Sequence, residues 1–204
     1  CNMDVAIRAI NWIWGLRFFE VELATYPKLQ VIIGKSLLEH GQHIYNNLEY
    51  YEESTGNHYL SNIAGLIYIS SRIPGYEHSD LWLMFGLQEL TSEMERQVFD
   101  DGFAHEGSSS YHRLVAELFL STSVLVERIP LARQKKLLKV ETKSHNVKPM
   151  LDAVVQAQLN LSEIGNILPS KFYEKLQLMI EFSSSLTKPN GRVPQIGDND
   201  SARV

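Results

Sequence analysis

Between residues 5 and 24 almost every position is apolar: Ile7, Ile10, Trp12, Ile13, Trp14, Leu16, Phe18, Phe19, Val21 and Leu23. A segment apolar all round predicts a helix buried on most sides, and Asn2 and Asp4 suit its N-terminus. Residues 28–51 carry Leu29, Ile32, Ile33, Leu37, Ile44 and Leu48 at helical spacing. A turn at Glu52-Glu53-Ser54-Thr55-Gly56 leads to a third, mostly buried helix over 57–71, with Leu60, Ile63, Ala64, Ile67 and Tyr68. Ile73-Pro74-Gly75 ends it. Ser79 or Asp80 caps a fourth helix that runs to about Phe99. Asp101-Gly102 opens a loop, and a fifth helix starts at Ser109 or Ser110 and stops before Pro130.

The remainder is less regular. Lys135, Lys136, Lys139 and Lys143 mark a solvated stretch, and helical spacing resumes over 147–161. A last clear helix spans 170–186, with Phe172, Leu176, Met179 and Ile180 on one side. Lys188-Pro189-Asn190-Gly191 is a turn, and 193–196 reads as one short extended piece. No set of alternating strands is present, so the class is all-α, with about seven helices. The rhythm of roughly forty residues per helix pair suits stacked hairpins, as in solenoids or α/α toroids.

With 204 residues the chain is long enough for one sizeable domain. Its 44% hydrophobic and 21% charged residues are ordinary for a globular protein, and a net charge of −5 gives no general attraction to nucleic acid or acidic membranes. No run of 18 apolar residues forms a membrane span. The single cysteine, Cys1, excludes an internal disulfide and leaves the redox compartment open. The start in a helical pattern, with neither an initiator Met nor a signal peptide, suggests a piece of a longer protein.

Candidate chemistry gathers at three helix entries. Ser109-Ser110-Tyr111-His112-Arg113 follows Asp100-Asp101-Gly102-Phe103-Ala104-His105-Glu106, and Gly56-Asn57-His58-Tyr59-Leu60 lies about fifty residues earlier. A Tyr-His-Arg cluster and an Asn-His pair are groups that hold a carboxylate and move a proton beside it, which points to a lyase acting on uronic acids. Each residue also has a plainer reading. Asn57 serves equally as an N-cap, His58 as a satisfied helix-end histidine, and Tyr111 as a packed ring with a wet hydroxyl. Glu106 reads as a partner that orients His112 or Arg113, or as a loop acid. Arg8 and Asn11 share a helix face, so they either line a cleft floor or, for Arg8, pair with a buried acid. Trp12 and Trp14 read as core. His40 and His43 sit three apart, but no HExxH or Cys pair completes a metal site. Asp198, Asn199 and Asp200 lack the full EF-hand loop and read as a turn.

Four ordered stretches together resemble the heparinase II/III family. They are Asn2-Met3-Asp4-Val5-Ala6-Ile7-Arg8-Ala9-Ile10-Asn11-Trp12; Asn57-His58-Tyr59-Leu60; Asp101-Gly102 through Glu106 to Ser110-Tyr111-His112-Arg113; and Pro194-Gln195-Ile196-Gly197-Asp198-Asn199-Asp200-Ser201. Ala202 departs from the glycine expected after the last stretch. The resemblance implies an incomplete (α/α) toroid over 1–187 and a linker over 188–204 toward a C-terminal β-sandwich domain, with an acidic polysaccharide bound between the domains. It implies cleavage by β-elimination, with Asn57, His58 and Tyr111 catalytic and His112, Arg113, Glu106, Arg8 and Asn11 binding substrate. Tyr111 would act as general acid, or as base if nearby cations lower its pKa from about 10. No cofactor or metal is expected in this domain, while a structural metal in the β domain stays open. The location implied is periplasmic or secreted. The rival reading is a non-catalytic helical glycan-binding or scaffold domain of the same fold; a helical repeat that binds proteins is disfavoured by the polar helix entries.

Overall fold

The computed structural model describes residues 1–140 and 145–199. Among them are nine helices: α1 (Asn2–Phe18), α2 (Glu20–Leu23), α3 (Pro27–Asn46), α4 (Asn57–Arg72), α5 (Ser79–Gln97), α6 (Ser109–Val126), α7 (Leu131–Leu137), α8 (Ala153–Gln156) and α9 (Ser170–Leu186). No strand occurs among the described residues; Val98 and Ala104 form one isolated antiparallel bridge. The all-α class holds, and the helices form part of an (α/α) toroid of hairpins.

The centre is α4. It packs against α1 and α3 on one side and against α5 and α6 on others, so Tyr59 through Ser70 are all buried. Such close crossings need small residues. A Cβ added to Gly65 would stand 2.8 Å from the Ala6 Cβ and 3.0 Å from the Ala6 Cα, so α1 and α4 touch almost backbone to backbone there. Arg133 of α7 ties the next hairpin. Its guanidinium pairs with Asp80 at 3.0 Å and donates to the Ser70 carbonyl and the Ser79 hydroxyl, both at 2.8 Å. One mostly buried cation thereby satisfies the last turn of α4 and the first turn of α5.

Several expectations are corrected. The segment over 5–24 is not buried on most sides. Its second half, with α2 and the start of α3, exposes Trp12, Trp14, Phe18, Phe19, Val21, Val31 and Ile32. The reason is that α1 is fully covered only along its first half, where Met3, Ala6, Ala9 and Ile10 are buried, while its second half makes partial contacts such as Trp12 with His40 and Trp14 with Tyr68. The lysine-rich stretch contains the helix α7; Lys143 lies outside the described residues. The helix expected over 147–161 shrinks to the four-residue α8. The rest of that stretch is held by side chains instead: Gln88 donates to the Met150 carbonyl at 3.0 Å and accepts from the Asp152 amide at 2.6 Å, and Tyr45 meets His145 at 2.7 Å. Residues 193–196 form no strand. The described part of 188–204 returns to the start of α6. Asp200, Ser201 and Ala202 lie outside the described residues.

The α1–α4 crossing yields a stability test. In an open helix, Ala gains about 1 kcal/mol over Gly. At Gly65 the added methyl has no room, and Gly65→Ala is expected to destabilise the chain by about 1–3 kcal/mol, the range of overpacked cores. Urea denaturation of the two proteins measures this; a more stable variant would mean that the two helices stand further apart.

Candidate active site

Two helix starts and two loops enclose one cavity of about 590 Å³. Its wall includes Met3, Glu49, Tyr51, Asn57, His58, His105, Glu106 and Tyr111. Asn57, His58, Tyr111 and Glu106 are thus brought together from segments far apart in the chain.

Asn57 is the first residue of α4, not its cap. Gly56 occupies the cap position with an extended backbone and no side chain to offer. Glu106 fills the role from across the cavity: one carboxylate oxygen accepts from the Asn57 amide at 2.6 Å, and the other accepts from the Asn57 side chain at 2.6 Å. A carboxylate at a helix N-terminus is favoured by unpaired backbone N–H groups and the helix dipole. Glu106 therefore holds Asn57, and neither His112 nor Arg113 is its recorded partner. One N–H of the Asn57 amide is engaged with Glu106, which leaves the second. Gln97, at the end of α5, donates to the Gly56 carbonyl at 3.1 Å and secures the same turn.

His58 follows on the first turn, half exposed, with Nδ1 3.0 Å from Glu49 Oε1. The other Glu49 oxygen accepts from the Met3 amide at 2.8 Å and from Asn62 at 3.1 Å. Burial pushes the Glu49 carboxyl up, but the hydrogen bonds from His58, Asn62 and Met3 outweigh it and hold it below the ordinary range. With Glu49 on Nδ1, the second ring nitrogen of His58 remains available.

Tyr111 is placed by the cap of α6. The Ser108 hydroxyl accepts from the Ser110 and Tyr111 amides, both at 3.2 Å, and donates to the Asp198 carbonyl at 2.5 Å. Ser109 donates its amide to the Ile196 carbonyl at 3.0 Å, and Ser110 donates to Asn199 at 2.7 Å. Asp198 accepts from the Tyr111 hydroxyl at 3.0 Å. The approach is close enough to require glycine: Gly197 has φ +68°, and a Cβ there would stand 2.6 Å from the Gly107 carbonyl oxygen.

The remaining expected residues lie elsewhere. His112 is fully buried on the inner side of α6. Its Nδ1 accepts from the Ala104 amide at 3.2 Å, and Nε2 faces the Met179 carbonyl at 3.2 Å and the Ser183 hydroxyl at 3.0 Å. That commits the ring to bracing the 98–108 loop against α9, away from substrate. Arg113 is exposed and does not line the cavity. Arg8 donates to His40 at 2.9 Å, where no acid is its partner, and Asn11 donates to its own helix at the Ile7 carbonyl at 3.1 Å. Neither lines the cavity. Glu49, Asp198 and His105 are the wall or partner residues that sequence reasoning passed over as site groups. Glu49 sits beyond a helix end with no motif around it, and only the fold brings it to His58.

Stacked helical hairpins with a polar cavity at two helix N-termini define this as part of an α/α toroid domain. The heparinase II/III N-terminus family matches residues 3–137, and the chain belongs to the heparinase II/III family. The heparin-sulfate lyase of Pedobacter heparinus is 28% identical over 120 residues, which are 59% of this chain and 17% of that protein. The heparin-sulfate lyase of Bacteroides thetaiotaomicron is 28% identical over 126 residues, 62% of this chain and 18% of its own length. The crystal structure of heparinase III shares the fold with a TM-score of 0.65 at 20% identity, over 93% of this chain and 23% of that one. Heparan sulfate lyase HepC from Pedobacter heparinus gives 0.58 at 19% identity, over 95% and 25%. The match therefore spans just under a fifth of the length of these curated relatives.

The contacts of His112 predict a pH dependence. Burial lowers its pKa below the ordinary 6.5, against the smaller raising effect of the Met179 carbonyl. The geometry agrees, because a proton on Nδ1 would face the Ala104 N–H. A group with a lowered folded pKa contributes stability above its unfolded pKa and loses it as pH falls toward the folded value. Between pH 7 and 5 the parent is therefore expected to lose stability more steeply than His112→Leu, by at most about 1.4 kcal/mol per pH unit. Denaturant titrations across that range measure the difference; parallel curves would show that folding leaves the His112 pKa unchanged.

Proposed function

We propose that this chain is the toroid part of a polysaccharide lyase that cleaves uronic-acid glycans by β-elimination. The observation that carries the reading is the meeting of Asn57, His58 and Tyr111 in one cavity, each held by its own acidic partner: Glu106, Glu49 and Asp198. Membership of a family whose relatives include heparin-sulfate lyases supports it.

The chemical difficulty is the charge already on the uronate carboxylate, which opposes loss of the proton beside it. The remaining N–H of Asn57 donates to that carboxylate as charge spreads into it. His58, oriented by Glu49, takes the proton on its free ring nitrogen. The electron pair forms the new carbon–carbon double bond, the bond from C4 to the glycosidic oxygen breaks, and Tyr111 protonates the leaving oxygen. Asp198 supports this acid role, because its carboxylate accepts the phenolic hydrogen and orients it. None of these steps draws on a cofactor. The rest of the cleft comes from a C-terminal β-sandwich domain, and the enzyme acts in the periplasm or outside the cell, where polymeric substrates are met. Among the described residues no helix is long and apolar enough to cross a membrane.

The test uses the full-length protein with a panel of uronate polysaccharides, following the ultraviolet absorbance of the unsaturated uronate product. Heparan sulfate, alginate, hyaluronan and capsular glycans all belong in the panel. Binding without product would favour the non-catalytic glycan-binding domain. On a cleaved substrate, Tyr111→Phe is expected to reduce turnover at least about 100-fold with the fold unchanged. Asn57→Ala should remove roughly 2–4 kcal/mol of transition-state stabilisation. The double variant should lose less than the sum. Near-normal turnover by Tyr111→Phe would make the tyrosine a packing residue and require another proton donor.

A further inference from the structure

We infer that Cys1, together with the cavity-wall residues Glu49 and His58, forms a binding site for a zinc-class divalent cation. One ligand atom from each residue lies within 4.8 Å of the others. Ligands arranged tetrahedrally about zinc, at about 2.0–2.3 Å from the ion, stand about 3.3–3.8 Å apart. Small side-chain rotations close the difference, and two of the three side chains are exposed and free to make them. Thiolate, imidazole and carboxylate are the three ligand types that zinc takes, and hard cations such as magnesium and calcium leave thiolate aside.

The site has outer support that a chance surface cluster lacks. Glu49 Oε2 is fixed by the Met3 amide at 2.8 Å and Asn62 Nδ2 at 3.1 Å, which leaves Oε1 turned toward His58. Asn62 is itself fixed, because its Oδ1 accepts from the Glu49 amide at 2.8 Å and from Asn2 at 3.2 Å. Hydrogen-bonded carboxylate ligands of this kind are held in orientation before the metal arrives. The Cys1 thiol donates to Asp4 at 3.2 Å; on binding it releases its proton to solvent and the thiolate turns to the ion. Three protein ligands leave a fourth position for water.

Binding would engage Nδ1 of His58 and separate Glu49 from it, so the cation should inhibit turnover. That consequence rests on the lyase reading; the binding itself does not. The probe is Co²⁺, whose thiolate charge-transfer and tetrahedral absorption bands report ligand type and geometry, followed by displacement with Zn²⁺. The full chain should bind one equivalent of Co²⁺ with both bands and lose them on adding Zn²⁺. Bound Zn²⁺ should also protect Cys1 from alkylation. Cys1→Ser, an exposed change that leaves basal turnover alone, should abolish the charge-transfer band and weaken Zn²⁺ binding at least tenfold. Glu49→Gln should weaken it similarly. Absence of the charge-transfer band in the parent, or binding unchanged in Cys1→Ser, would overturn the site. If the parent binds Zn²⁺ as described and a substrate it cleaves is turned over equally fast with and without the ion, the site stands and the proton-accepting role of His58 falls.

Discussion

The two hydrogen bonds between Glu106 and Asn57 are the constraint on which the cavity depends. The start of α4 is largely enclosed, with Asn57 and Tyr59 through Ser70 buried, and its cap position is a glycine with nothing to donate or accept from a side chain. A carboxylate from the 98–108 loop supplies the missing acceptor. That one contact fixes the loop relative to α4, and the loop in turn delivers Ser108, the cap of α6. The position of Tyr111 relative to Asn57 therefore follows from a helix-capping requirement, and the same geometry serves the chemistry. His112 completes the arrangement from the other side by bracing the loop on α9.

The cavity wall is not basic. Glu49 and Glu106 line it, Asp198 approaches it, and among the described wall residues no Arg or Lys is present. An anionic ligand is compatible with such a wall only because its charges are already met. Glu106 accepts from two donors of Asn57, and Glu49 from Met3, Asn62 and His58. On the proposed reading their role toward a uronate would be indirect: they would aim neutral or cationic donors. The fixed partial charge that a carboxylate would feel comes from the start of α4 and from the His58 ring. Further cationic groups facing the substrate would then come from outside the described residues.

Much of this was legible in the chain. The long helices follow from apolar spacing bounded by Gly, Pro and Ser, and α9 spans 170–186 as its pattern predicts. The meeting of Asn57, His58 and Tyr111 was legible only through the ordered motifs, since periodicity says nothing about which helix entries adjoin. Four things were not legible. The apolar stretch at 12–23 predicts burial, yet burial depends on what packs against it, and the second half of α1 finds only partial cover. The 147–161 stretch carries helical spacing, but the amides of Asp152 and Val154 are claimed by the side chains of Gln88 and Asp152, and only a four-residue helix forms. Arg8, Asn11 and Arg113 look like substrate groups by residue type, whereas helix phase turns them away from the cavity. Glu49 has no motif and becomes visible only when the chain is folded.

The tail contact decides how the tyrosine works. Were Tyr111 flanked by cations, a phenolate base would be the natural reading of a Tyr-His-Arg cluster. The fold separates that cluster: His112 goes inward, Arg113 outward, and the partner that reaches the hydroxyl is Asp198, from a segment nearly ninety positions later. On the proposed reading, a carboxylate accepting from the hydroxyl suits Tyr111 to the part of proton donor, and the base is another residue. His58 is the cavity residue whose first ring nitrogen is occupied by an acid and whose second is available. The acid and the base of an elimination would thus stand at the starts of two different helices, each oriented by a carboxylate from a loop. The 194–199 segment returns to the body and brings the Asp198 carboxylate to the Tyr111 hydroxyl.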